Sequence, residues 1–308
     1  MSGQYNEHQP IIEVAVDKIL ALILLAASAA LPAQPDGLLT AADLADFENP
    51  APDARIHYGD HSLQFGDLRV PEGDGPHPVA VFIHGGCWLS EYDIVHSSAL
   101  TAALASNGIA TWSLEYRRVG DDGGGWPGTF QDVGRGADHL RSIAAEYKLD
   151  LDRVIAMGHS AGGHFALWLA ARSRIPADVP VSAANPLKLR GVVALAPAPD
   201  LRNLHEAQVC GHVIDRLMGG SPGQVPVRYR WADPMENPPD RVAQVLVIGK
   251  HDLNWAPSGL RYYEAATKRG DDVVKIEAPE SGHFELIDPG SSSWPLVLRE
   301  ARKMLGGR

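Results

Sequence analysis

From residue 62 onward, short apolar runs rich in β-branched residues alternate with stretches in which apolar residues recur every three or four positions. The runs at 78–83, 110–114, 154–157, 192–196, 245–248 and 273–277 predict strands. Several are apolar without interruption, the pattern of strands buried on both faces of a parallel sheet. Helical spacing covers 94–106, 132–146, 162–172, 258–269 and 293–305. The alternating stretch 64–70 predicts an antiparallel entry strand. Together these predict an α/β fold, a mostly parallel sheet with helices on both faces. Such sheets hold their ligands beyond the carboxyl ends of the strands, so the residues that follow each strand matter most.

The first 55 residues break the pattern. Residues 19–31 form an apolar run too short to cross a bilayer comfortably, but suited to the core of a secretory signal. Lys18 precedes it, and Ala27-Ser28-Ala29 or Leu31-Pro32-Ala33 offers a cleavage site. Glu7, Glu13 and Asp17 do not suit a basic leader, a conflict removed if translation starts near Val16. A signal at about 16–33 predicts export, periplasmic or secreted. A helix decorating the domain is the alternative, and leaves the protein cytoplasmic. Residues 32–55, rich in Ala, Pro and Asp, read as a linker or an irregular wrap over the domain.

Composition narrows the classes. The 308 residues are 45% hydrophobic and 21% charged, which excludes wholesale disorder. A net charge of −11 argues against nucleic acid as partner, because phosphate binding needs a basic surface. The two cysteines, Cys87 and Cys210, can pair, but they are too few for a disulfide framework. His57 and His61 lack the HExxH glutamate, and there is no G-x-G-x-x-G or P-loop, so neither metal nor cofactor is expected.

The strand at 154–157 runs into Gly158-His159-Ser160-Ala161-Gly162-Gly163, and a helical pattern follows at once. This is G-x-S-x-G in the strand–turn–helix setting that exposes a serine hydroxyl. Side chains at 158 and 162 would collide with the neighbouring strand and helix. A serine needs a base to take its proton, and the base needs an acid to orient it. Asp252 follows the strand at 245–248, and His283 follows the last strand. The predicted catalytic set is therefore Ser160, Asp252 and His283. After the strand at 78–83 comes His84-Gly85-Gly86-Cys87-Trp88. The N–H groups of Gly86 and Cys87, with that of Ala161, are the predicted oxyanion donors. His84 is expected to brace the loop, and Cys87 to be a small packed side chain. Arg117 is expected to pair with Glu115 or Asp132 rather than with substrate.

These motifs, with Glu115-Tyr116-Arg117-Arg118 and Gly282-His283-Phe284, resemble the α/β-hydrolase superfamily over roughly residues 60–305. The likeness is to the esterase/lipase branch with an HGGxW loop, which includes feruloyl-esterase-like and kynurenine-formamidase-like proteins. Cys87 stands where hormone-sensitive-lipase relatives have a third glycine of HGGG, and Trp255-Ala256-Pro257 where relatives often carry Val-Pro. The resemblance implies acyl-enzyme chemistry on a small-molecule ester. An arylformamidase or other amide-bond hydrolase is the first alternative, and a noncatalytic binding protein on the same fold the second.

The sequence thus divides into an N-terminal extension, 1–55, and a catalytic domain, 56–308. About 48 residues separate the strands ending at 196 and starting at 245, too many for a simple connection. The stretch 198–240, with a helix expected over 204–218, is read as a small cap. Trp88, Trp126, Trp231 and Trp255 fall in strand-end or cap segments and are candidate substrate-binding residues.

Overall fold

The computed structural model describes residues 37–307. The candidate signal segment therefore lies outside the described residues. The strands are β1 (Ala54–His57), β2 (Phe65–Arg69), β3 (His77–Ile83), β4 (Ala110–Leu114), β5 (Leu149–His159), β6 (Gly191–Leu195), β7 (Ala243–Gly249) and β8 (Val273–Ala278). They form one sheet in the order β1-β2-β4-β3-β5-β6-β7-β8. β2 runs antiparallel to β1 and β4, and every pairing from β4 to β8 is parallel.

Alternation along each strand divides the core. Val79, Val81 and Ile83 of β3 and Val154 and Ala156 of β5 face one side, together with the helices α2 (Gly128–Ile143), α3 (Ala161–Ala171) and α7 (Ala256–Arg269). Ala80, Phe82, Ile155 and Met157 face the other side, against α1 (Ser98–Ser106) and α8 (Trp294–Met304). Both faces of the central strands are covered, which is why those runs are apolar throughout.

Two expectations need correction. The linker reading of 32–55 misses β1, whose first residue is Ala54, and a short 3-10 turn at Asp43–Asp46. The helix expected over 204–218 is two pieces, α4 (Leu201–Glu206) and α5 (Val213–Met218). Gln208, Cys210, Gly211 and His212 lie between or beside them with φ between 50° and 64°, a left-handed turn that no helix continues through. The 198–240 segment is completed by α6 (Pro226–Ala232), whose last residues bond α3. There Trp168 Nε1 donates to the Trp231 carbonyl at 2.9 Å, and a His164 ring nitrogen bonds the Ala232 carbonyl at 2.8 Å. It is tied to the strand-end pocket through Cys210, which is bonded to the pocket residue Cys87.

Candidate active site

Ser160 stands at the turn from β5 into α3 with φ 55° and ψ −118°, a backbone region that L-residues rarely occupy. The glycines on either side permit it. A Cβ at Gly158 would lie 2.2 Å from the Gly162 carbonyl oxygen, and one at Gly162 would lie 2.0 Å from the Ile83 carbonyl oxygen. Ser160 N–H donates to Leu195 O of the adjacent strand at 2.9 Å, and its carbonyl accepts from His164 and Ala198. The strained turn is thus held by the adjacent strand β6, the residues after it and the first turn of α3.

Asp252 follows β7 and is fully buried. Its Oδ2 accepts from His283 Nδ1 at 2.7 Å, and its Oδ1 accepts from Trp255 N–H at 3.0 Å. A carboxylate has no proton to give, so Nδ1 carries the hydrogen and Nε2 presents its lone pair. The Trp255 ring stacks on His283 at 5.4 Å between centroids, 25° between planes. Ser160, His283 and Trp255 share a pocket of about 130 Å³ with Gly86, Cys87 and Phe284. The three predicted catalytic residues thus come together beyond the carboxyl ends of β5, β7 and β8.

The donor loop after β3 is held by unusual means. Gly86, Cys87 and Trp88 all have positive φ, at 105°, 53° and 57°. For the cysteine and the tryptophan such a conformation costs about 1–3 kcal/mol each, so the surroundings must impose it. No hydrogen bond among the described residues uses the N–H of Gly86, Cys87 or Ala161, which leaves all three for a ligand oxygen. Trp88 is fully buried and its Nε1 donates to His164 Nδ1 at 3.4 Å. His164 Nε2 donates onward to Ala232 O, so the ring is neutral, and burial holds its pKa down to about 4. Cys87 is bonded to Cys210 as a disulfide. This corrects the reading of Cys87 as merely a packed side chain: it ties the loop to the turn between α4 and α5.

His84 bonds Gly85 O through Nδ1 at 2.8 Å and Glu115 through Nε2 at 3.3 Å. Glu115 also accepts from the N–H groups of Ile94 and Tyr116 and pairs with Arg118 at 3.1 Å. Burial alone would raise the Glu115 carboxyl, but His84 and Arg118 beside it and the Tyr116 N–H hold it below its ordinary value. His84 therefore braces the loop, as the sequence predicts. Arg117 grips Asp132 with two bonds at 2.6 and 2.8 Å and is not turned to the pocket.

One chain of histidines has no counterpart in the sequence reading. His159 bonds the His283 carbonyl through Nε2 at 3.0 Å, so its Nδ1 is an acceptor and takes the hydrogen of His96 Nε2 at 2.9 Å. Burial, helped by neighbouring histidines, holds His159 well below its ordinary value and His96 down to about 3. Two neutral rings therefore support the backbone of His283. His159 was visible only as the variable residue of G-x-S-x-G, and His96 follows no strand.

Of the four tryptophans expected at the substrate, Trp255 lines the pocket. Trp88 belongs to the core, because its ring has no exposed surface. Trp126 packs on Phe130 at 5.3 Å, and Trp231 lies against the core cluster beside α3. Neither of these two rings lines the pocket that holds Ser160 and His283. Among the described residues, no group of three His, Cys, Asp or Glu side chains is placed to hold a metal. No described helix is long and apolar enough to cross a membrane.

Comparison with known proteins gives the family and the fold. The BD-FAE family model matches residues 67–252, from β2 through Asp252. The protein described as "Probable isoprenylcysteine alpha-carbonyl methylesterase ICMEL1" of Arabidopsis thaliana is 33% identical over 121 residues, 39% of this chain and 25% of that protein. "Esterase LipC" of Mycobacterium tuberculosis is 24% identical over 246 residues, 76% of this chain and 60% of that protein. The chain thus spans less than two thirds of either relative. An inhibited Esterase B from Lactobacillus rhamnosis superposes with a TM-score of 0.72 at 22% identity, covering 86% of this chain and 90% of that one. That likeness shows the α/β-hydrolase fold.

Proposed function

The chain belongs to the BD-FAE family, and from that premise we propose that it is a carboxylic-ester hydrolase working through a serine-bound acyl intermediate. The observation that carries the proposal is the buried Asp252–His283 pair at 2.7 Å, opening on the same pocket as a strained Ser160. The esterases among the relatives support the ester as substrate class.

In this reading Ser160 Oγ attacks the ester carbonyl carbon while its proton passes to His283 Nε2. Asp252 stabilises the imidazolium that results. The negative charge on the carbonyl oxygen is met by the N–H groups of Gly86, Cys87 and Ala161. Collapse of the adduct breaks the C–O bond, and His283 returns its proton to the leaving alcohol. Water then enters, gives a proton to His283 and attacks the acyl carbon. The acid leaves, and Ser160 recovers its proton. A pocket of about 130 Å³ is small beside the 300–1,000 Å³ of a drug-sized site, which favours short acyl or alcohol groups.

The disulfide adds a compartment to the proposal. Cysteines stay bonded in oxidising surroundings, so the Cys87–Cys210 pair supports export. The test of function is a panel of p-nitrophenyl acetate, butyrate and octanoate against N-formylkynurenine, with wild type and Ser160→Ala. Ester hydrolysis that vanishes in the variant supports the proposal. A formamide preference by orders of magnitude overturns the ester, and unchanged hydrolysis by Ser160→Ala overturns the mechanism.

A further inference from the structure

The segment at 37–47 precedes the sheet and the family-matched region, which begins at residue 67, yet it reaches the pocket. Ala41 lines the same cavity as Ser160 and His283. Leu39 N–H donates to Glu285 Oε1 at 2.5 Å. The other oxygen of that carboxylate accepts Gly282 N–H at 2.8 Å. A single buried glutamate therefore grips both this segment and the residue before His283. Leu38 packs so closely that a Cβ on Gly282 would lie 3.2 Å from its Cδ1. Further along, Thr40 closes on Asp43 through its N–H and its hydroxyl, at 2.6 and 2.7 Å. Leu44 and Phe47 are packed against the core cluster on the α1/α8 face. The segment is thus anchored at both ends, with Ala41 between the anchors.

We propose that residues 38–47 form a strap whose Ala41 is one wall of the substrate pocket, so that this segment sets the chain length the site accepts. The proposal rests on the esterase reading above. A methyl group at position 41 leaves the pocket its present width. An indole there would fill much of a 130 Å³ space. Freeing the strap from Glu285 would do the reverse and open that wall. Anchoring by a backbone N–H makes release simple: proline at position 39 has no hydrogen to donate.

Two full-chain variants test it, Leu39→Pro and Ala41→Trp, neither in the reacting set. The readout is kcat/KM for two series, p-nitrophenyl esters of rising acyl length and acetate esters of rising alcohol length. In whichever series occupies this wall, Leu39→Pro should raise the long-to-short ratio about tenfold or more, and Ala41→Trp should lower it by a similar factor. Opposite signs from one segment are not the mark of general destabilisation. If wild type hydrolyses esters and both variants keep its ratios within about twofold in both series, the strap proposal is wrong and the esterase reading stands. A wild type that hydrolyses no member of either series overturns both.

Discussion

Reducing the Cys87–Cys210 bond should cost this protein both stability and rate. The bond closes a loop across a sequence separation of 123 residues. Chain-entropy arithmetic for a loop of that length gives about 5 kcal/mol of stabilisation lost on reduction. At about 2.1 cal/mol/K of unfolding entropy per residue, a chain of this size loses about 8 °C of Tm for that change. Rate should follow because the bond holds a loop whose conformation is costly. Removing an oxyanion donor outright costs about 10²–10³ in kcat. Here Cys87 N–H would be loosened rather than deleted, since Trp88–His164 and His84–Glu115 still brace the loop. The expectation is a roughly tenfold fall in kcat on p-nitrophenyl butyrate with KM little changed, a fraction of that donor effect. Calorimetry and initial rates would be measured on wild type with and without dithiothreitol, and on Cys210→Ala, which leaves residue 87 in place. A Tm unmoved by reduction, or a kcat untouched once the bond is shown by mass to be open, would refute the reasoning.

Other expectations are as direct. Asp252→Asn should lower kcat about 10³–10⁴-fold, because an amide can present a hydrogen to Nδ1 and select the wrong tautomer of His283; steady-state rates check it. Gly162→Ala should yield little folded protein, since its Cβ would meet Ile83 O at 2.0 Å and His84 O at 2.6 Å; soluble yield and circular dichroism report this. Stability should fall as pH drops below about 6.5. Burial keeps His96 (about 3), His164 (about 4) and His159 neutral in the fold, while the unfolded chain takes up their protons. The slope approaches about 1.4 kcal/mol per pH unit for each ring, and a urea-unfolding profile flat from pH 7 to 4.5 contradicts it.

The parallel sheet was legible because its strands are buried on both faces, which writes an unbroken apolar run at each one. β4 is the plainest case, with Ala110–Leu114 read to the residue. The candidate triad was legible for a different reason: its steric demands force glycines at 158 and 162 beside Ser160. What could not be read depends on approach through space. Nothing in the spacing of Cys87 and Cys210 joins them, because a left-handed turn at 208–212 brings the second beside the first. The His96–His159–His283 chain is likewise a product of packing. The tryptophans misled because a large aromatic ring at a strand end serves the core as readily as a ligand. Trp88 and Trp255 look alike in sequence, and only Trp255 lies over His283. A wrap over the domain was among the readings of 32–55, but its course was not legible: one of its anchors is a backbone N–H on a distant carboxylate, and residue identity carries no signal for that.

The central claim is that Ser160 becomes acylated during turnover. Rapid mixing with p-nitrophenyl acetate should release a burst of p-nitrophenol equal to the enzyme concentration when deacylation limits the rate. Quenching in acid and digestion should then place one acetyl group on the peptide bearing Ser160. Asp252→Asn should slow its appearance, and Ser160→Ala should abolish it. An acetyl group on another residue, or hydrolysis that continues at the wild-type rate in Ser160→Ala, would contradict the account.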